Sequence, residues 1–111
     1  MKVTTRTHGG VIVVVLTHKG FGQEGFPLRD TIVGIAKSRQ PRFLIDLTQV
    51  SFMGSIEVGE LVRAYKRVIE AGGTMKLLLL RGSQVQKVIE LTRLNKVFEC
   101  YEDELAALDS F

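Results

Sequence analysis

The sequence predicts a single α/β domain over residues 1–111, with a mixed, mostly parallel sheet of about five strands flanked by about four helices. Short apolar segments of strand length alternate with amphipathic segments of helix length, an order typical of parallel strands joined by helical crossovers. The first two strand-like segments are separated only by His8-Gly9-Gly10, so the sheet opens with a β-hairpin and is mixed. With 111 residues, 45% of them hydrophobic, the chain is long enough for one core and too short for two comfortable domains.

The hairpin is followed by a loop and a first helix. Residues 2–7 and 11–17 are the strand-like segments, and the glycines between them supply the positive φ angles of a tight turn. Residues 19–25 are expected to form a glycine-rich loop, and Pro27 begins a helix in which apolar residues recur at a spacing near 3.6. This helix is expected to end before Pro41, because the residue preceding a proline avoids helical angles.

The rest of the chain continues the alternation of strands and helices. The clearest helix carries Val58, Leu61 and Tyr65 on one face, and Gly72-Gly73 end it because glycine tolerates a left-handed C-terminal cap. The remaining strands are expected at residues 43–47, 75–80 and 96–101, and the remaining helices at residues 83–93 and 102–108. Parallel strands joined in this way imply right-handed crossovers.

Composition argues against several classes of protein. The formal net charge is +3, from 15 Lys and Arg and 12 Asp and Glu with interspersed signs, which favours solubility over direct nucleic-acid binding. The single cysteine, Cys100, excludes an intrachain disulfide and a multi-cysteine metal site, and it is typical of a reducing compartment. The sequence shows no secretory signal, and the apolar run at residues 11–16 is too short to span a bilayer. We therefore expect a cytoplasmic protein without membrane insertion.

The sequence lacks the motifs of common enzymes. His8 and His18 have no cysteine, histidine or carboxylate at ligand spacing, so we predict no metal site. Ser55 lacks the Gly-x-Ser-x-Gly nucleophile elbow, and no histidine follows it to act as a base. The glycines around Phe21 do not continue into a phosphate-binding or dinucleotide-binding motif. Asp46, within a strand, is expected to pair with a nearby donor. We therefore predict no catalytic residue and no cofactor.

Ser55 is the strongest functional candidate, because a strand-like segment leads through a short loop into this serine at a helix start. A helix N-terminus leaves several backbone N–H groups unpaired and carries partial positive charge. A hydroxyl there can cap the helix or, once phosphorylated, place its phosphate beside these donors. Ser83 stands at a similar strand-to-helix turn, and an N-cap accounts for it. For Ser55, position alone leaves both roles open.

The segments that carry the clearest family pattern are Leu44-Ile45-Asp46-Leu47, Val50-Ser51-Phe52-Met53, Glu70-Ala71-Gly72-Gly73, residues 88–98 and residues 102–108. Together they resemble STAS domains, the fold of bacterial anti-sigma factor antagonists. In that family a strand ending Asp-Leu leads through a hydrophobic loop to Asp-Ser-Ser-Gly-Leu-Gly and an amphipathic helix. The resemblance is good from about residue 44 to residue 108 and weak over the first forty residues.

The resemblance implies a binding protein that is switched by phosphorylation and has no catalysis of its own. Antagonists of this kind bind an anti-sigma factor that is also a serine kinase, are phosphorylated on the first serine of the motif, and then release the partner. Ser55 occupies that position. The loop at residues 21–26 is a further candidate for the partner surface. The implied surface is centred on Met53, Gly54, Ser55, Ile56 and Glu57.

The switch segment departs from the family pattern. Gly54 stands where the family has an acidic residue, Ile56 replaces the second small polar residue, and Glu57 replaces the first glycine. Gly59 keeps the final glycine. Because Glu57 adds negative charge beside any incoming phosphate, a second hypothesis stays open. In it the chain is a STAS interaction or scaffold subunit of a signalling assembly, or of a transporter complex, that is not phosphorylated.

Overall fold

The fold is described by a computed structural model, which covers residues 2–18, Ile32 and residues 40–111. Within these ranges the elements are β1 Lys2–His8, β2 Val11–His18, β3 Arg42–Val50, α1 Ser55–Glu70, β4 Thr74–Leu78, α2 Gln84–Leu91, a 3-10 turn Leu94–Lys96, β5 Cys100–Tyr101 and α3 Glu104–Asp109. The glycine-rich loop expected at residues 19–25 lies outside the described residues. So does the helix expected after Pro27, apart from Ile32, which is helical and fully buried.

The strands form one mixed sheet in the order β1-β2-β3-β4-β5. The pair β1–β2 is antiparallel, and each later pair is parallel. Gly9 and Gly10 have φ angles of 56° and 81°, which two central residues of a type I′ hairpin turn require and glycine adopts without steric cost. The predicted hairpin and the mostly parallel sheet are therefore confirmed.

The sheet separates two apolar layers. Because side chains alternate along a strand, Val14 and Ile45 lie on one face, and Val13 and Leu44 lie on the other. The first face packs against buried helical residues, namely Ile32, Leu61, Ala64, Val68, Val85 and Ile89. The second face packs against Ala107 of α3. Helices α1 and α2 thus cover one face of the sheet, and α3 covers the other.

The connection into β5 differs from the sequence-based expectation, because the strand predicted at residues 96–101 contains only Cys100 and Tyr101. Arg93 has a positive φ of 61°, and the 3-10 turn follows it directly. Phe98 is buried after this turn, and its ring meets the Tyr65 ring edge-on with centroids 4.7 Å apart. The apolar Phe98, between the 3-10 turn and β5, is therefore buried without forming part of a strand.

Lys76 is a buried lysine that holds α3 against the sheet. Its side chain is 6% exposed, and its ammonium donates to the Ser110 carbonyl and the Ser110 hydroxyl, both at 2.9 Å. The Glu99 carboxylate lies 3.6 Å away, and the ammonium sits 4.7 Å from the centre of the Phe111 ring. Because Ser110 is the C-cap of α3, the cation lies at the end of the helix where the dipole favours positive charge.

Replacing Lys76 with methionine should lower the free energy of unfolding by about 1.5–3 kcal/mol, since a hydrogen bond from a charged group contributes about that much. The change leaves the Ser110 carbonyl without its charged donor. Arg6→Met is the matched control, because Arg6 also reaches α3, through a solvent-exposed ion pair with Glu104. Such a pair contributes about 0–1 kcal/mol. Urea unfolding of both variants checks this, and equal losses would contradict the role given to Lys76.

Candidate functional site

The candidate site lies at the edge of the sheet where the parallel strands end. Strand β3 ends at Val50, and residues 51–54 lead into α1 at Ser55. Residues 79–83, between β4 and α2, lie at the same edge because β3 and β4 are adjacent and parallel. In open α/β sheets, binding sites collect outside the carboxyl ends of the strands. The position of Ser55 in the fold is therefore one where a binding site is expected.

Gly54, rather than Ser55, is the N-cap of α1. Its φ and ψ are extended, at −107° and −169°, and its carbonyl accepts the first helical hydrogen bond from Val58 N–H at 3.0 Å. Glu57 completes the helix start by accepting from Gly54 N–H at 2.7 Å through Oε1, which is half of a capping box. The hypothesis that Ser55 caps the helix is therefore wrong. Ser55 is the first helical residue, and no other described residue hydrogen-bonds its hydroxyl.

Glycine at position 54 fits a confined space. A Cβ built on Gly54 would lie 3.2 Å from Cε2 of Phe52 and 3.1 Å from Oε1 of Glu57, tighter than ordinary van der Waals contact. A larger residue at 54 would have to displace Phe52 or Glu57. In the family pattern an acidic residue stands at the position of Gly54. Here position 54 is a glycine, and the carboxylate next to it comes from Glu57, which accepts from Gly54 N–H.

The predicted surface residues differ in exposure. Ser55 is exposed, and Ile56 is 72% exposed although it is a large apolar residue. Gly54 and Glu57 are half-buried. Met53 is fully buried in the main core, so the expectation that its side chain belongs to the partner surface needs correction. Its side chain anchors the loop from the core side, where it packs in the main apolar cluster.

Gln84 fixes the backbone of this loop from the neighbouring helix. Its side-chain amide accepts from Met53 N–H at 2.8 Å and donates to the Met53 carbonyl at 3.1 Å. Both backbone groups of Met53 are thereby satisfied by one residue at the start of α2. Sequence reasoning missed Gln84, because its partner is 31 positions away and a glutamine after an N-cap serine has no distinctive pattern.

Two opposing electrostatic effects meet at Ser55. The N–H groups of the first helical turn precede the first intrahelical hydrogen bond and carry the partial positive charge of the helix N-terminus. The Glu57 carboxylate stands in the same turn and is negative. At the same sheet edge Leu80 is 54% exposed, and Arg81 is exposed and pairs with Glu102 at 3.0 Å. The start of α1 thus combines backbone donors with the apolar Ile56 and the negative Glu57, and the neighbouring loop at the same sheet edge adds Leu80 and Arg81.

The other sequence candidates have structural or exposed positions. Asp46 is buried, and its Oδ1 accepts from the Thr48 N–H at 2.9 Å and the Thr48 hydroxyl at 2.6 Å, as expected for a paired acid. His8 is exposed beside the hairpin turn. The side chain of His18 and the loop at residues 21–26 lie outside the described residues.

The described ranges also bear on metal binding and on membranes. They contain no group of three or more His, Cys, Asp or Glu residues placed to hold a metal ion. None of the helices in those ranges has the length and apolar character of a membrane span.

Comparison with known proteins agrees with this architecture. The family described as STAS domain matches residues 2–107. An anti-sigma factor antagonist from Mycobacterium paratuberculosis superposes with a TM-score of 0.79 at 25% identity, over 98% of this chain and 92% of that one. An anti-sigma-factor antagonist (STAS) domain protein from Planctomyces limnophilus gives 0.74 at 25% identity, over 97% and 96%. No curated protein sequence gives a significant match.

Proposed function

The chain belongs to the STAS domain family, and we propose that it acts as an anti-sigma factor antagonist controlled by phosphorylation of Ser55. In this role it binds an anti-sigma factor that is also a serine kinase, hereafter the anti-sigma kinase, and catalyses nothing itself. The structural similarity to two anti-sigma factor antagonists supports this class of function. Such a protein acts in the cytoplasm, where its kinase finds ATP.

The observation that carries the proposal is the state of Ser55. Its side chain is exposed at the first position of α1, and its hydroxyl has no hydrogen-bond partner among the described residues. A kinase can therefore reach the hydroxyl without breaking a hydrogen bond to any part of the chain that the structure describes. Ser55 Oγ would attack the γ-phosphorus of ATP, the bond to the ADP oxygen would break, and the hydroxyl proton would pass to a base of the kinase.

Phosphorylation at this position would change the chemistry of the surface. The phosphate brings about −1.5 to −2 charges next to Ile56, which is 72% exposed and apolar. It also stands in the same helical turn as the Glu57 carboxylate. A partner that packs on Ile56 would then have to bury a doubly negative group in the same contact. Repulsion and desolvation would release it.

Glu57 also favours a second candidate function. Its carboxylate is held on Gly54 N–H at 2.7 Å, which keeps a negative charge close to the incoming phosphate. Repulsion between neighbouring like charges in a helix opposes phosphorylation. In the second candidate the chain is an unphosphorylated STAS subunit that binds a signalling assembly or a transporter complex.

Incubation with the anti-sigma kinase of the same organism and ATP, followed by intact mass measurement, tests the first candidate. The wild-type protein is expected to gain one phosphoryl group, and Ser55→Ala is expected to gain none. Ser83→Ala is the matched control, because Ser83 also starts a helix but its hydroxyl is occupied in capping Gln86 N–H at 3.1 Å. This control should be phosphorylated like the wild type. A phosphorylated Ser55→Ala protein would refute the assignment, and an unmodified wild type would favour the second candidate.

A further inference from the structure

The outer edge of β5 has no strand partner among the described residues. The carbonyls of Glu99 and Tyr101 accept from Leu77 N–H at 3.0 Å and Leu79 N–H at 2.8 Å, so both face β4. Backbone groups alternate in direction along a strand. The N–H and C=O of Cys100 therefore point away from the sheet, and no backbone group of the described residues bonds them. An unpaired edge of this kind is a template for another strand.

A cleft runs along this edge. One hollow of about 530 Å³ lies between α2 and β5 and is lined in part by Ile89, Val97 and Cys100. A second hollow of about 360 Å³ adjoins it towards the start of α3 and shares four of its lining residues, including Cys100. Val97 is apolar and 50% exposed at the rim. Cys100, which carries the outward backbone groups, thus lines a space large enough for side chains of an extended segment.

The cleft is acidic although the chain is not. Among the described residues that line the two hollows, Lys96 is the sole cation, against the carboxylates of Glu90, Glu99, Glu102 and Asp103, while the whole chain has a formal charge of +3. Two cations outside the lining, Lys76 and Arg81, pair with Glu99 and Glu102, so Glu90 and Asp103 are the lining carboxylates without a cationic partner in the described ranges. Hydrogen bonding from Gln86, and then the charge of Arg81, lowers the pKa of Glu102. The excess of carboxylates in the lining favours a basic ligand.

We propose that this cleft is a second docking surface, in which an extended segment of a protein partner pairs with Cys100 as an additional strand and places Lys or Arg side chains among the carboxylates. Strand addition of this kind draws affinity from main-chain hydrogen bonds and specificity from the side-chain pockets. A symmetric pairing of this edge with the same edge of a second copy is disfavoured, because two acidic clefts would repel each other. The surface does not depend on Ser55, so both can act in one protein.

The backbone direction of Cys100 gives a specific test. Cys100→Pro removes the outward N–H without removing a hydrogen bond to β4, and proline is tolerated in an edge strand when its nitrogen faces out. Cys100→Ala removes the thiol and keeps the N–H. The probe is a fluorescein-labelled peptide of alternating lysine and valine, titrated by anisotropy, with the glutamate–valine peptide as the control ligand.

The basic peptide is expected to bind the wild type and Cys100→Ala equally. It should bind Cys100→Pro about three- to tenfold more weakly, as for one lost hydrogen bond. The wild type should bind the basic peptide more tightly than the acidic peptide. Glu90→Lys should also weaken binding, and Glu70→Lys on α1 should not. These charge variants keep the test decisive if Cys100→Pro fails to fold. The proposal is overturned if the basic peptide does not bind, or if neither Cys100→Pro nor Glu90→Lys weakens it.

Discussion

Replacing Ile56 with aspartate should weaken binding to the anti-sigma kinase by about tenfold or more, the scale of loss for an apolar residue at the centre of an interface. Ile56 is 72% exposed and follows Ser55 directly, so a partner that contacts Ser55 also contacts the Ile56 side chain. The free energy of unfolding should stay close to that of the wild type. An acidic residue in the first turn is even favourable for the helix dipole.

The control for this variant is Leu91→Asp. Leu91 is 76% exposed, which matches Ile56, and it ends α2 at the opposite end from Gln84. Calorimetric titration of the anti-sigma kinase into each variant compares them. The proposed surface predicts a loss for Ile56→Asp alone. Equal affinities for both variants would place the interface elsewhere on the domain.

Replacing Gly73 with alanine should be among the most destabilising changes in the chain, lowering the free energy of unfolding by about 1–3 kcal/mol or more, as overpacking does. A Cβ on Gly73 would lie 2.3 Å from the Pro41 carbonyl oxygen and 2.9 Å from the proline ring. The same oxygen accepts the Thr74 N–H at 2.8 Å. The backbone that would have to move is therefore already held by the start of β4.

Gly59→Ala provides a contrast of opposite sign. Gly59 lies inside α1, where the three nearest described atoms to an added Cβ all belong to the flexible end of the Arg63 side chain, the first at 3.3 Å. Alanine favours a helix interior over glycine by about 0.5–1 kcal/mol, so this variant should be more stable than the wild type. Urea unfolding of both variants measures the difference. A Gly73→Ala protein as stable as the wild type would show that the close approach to Pro41 has no cost.

Local signals in the sequence predicted most of the fold. The hairpin turn at Gly9-Gly10 was predictable because glycine adopts the positive φ angles that the turn requires. The Ser83 cap of α2 was expected and found. The last strand was predicted too long, because an apolar residue such as Phe98 can be buried either in a strand or in a turn. Its packing on Tyr65 involves a distant part of the chain, and periodicity over a few residues does not report such contacts.

The candidate site was predicted in position and missed in detail. Ser55 was placed correctly at a helix start, and of the two roles left open for it the capping role belongs to Gly54, one residue earlier. Glycine is an accepted N-cap residue and Glu57 stands at the capping-box position three residues later, so part of this signal was present in the sequence. The burial of Met53 and the Gln84 hydrogen bonds depend on how two neighbouring loops meet at the sheet edge. Such tertiary contacts leave no local pattern.

The affinity of the anti-sigma kinase for the unmodified and the Ser55-phosphorylated protein tests the central claim most directly. Calorimetric titration should be run without ATP, so that the phosphorylation state stays fixed during the measurement. We predict that the phosphorylated protein binds at least about tenfold more weakly, because charge is added beside Ile56 and Glu57. Equal affinity of the two forms would contradict a switch at Ser55.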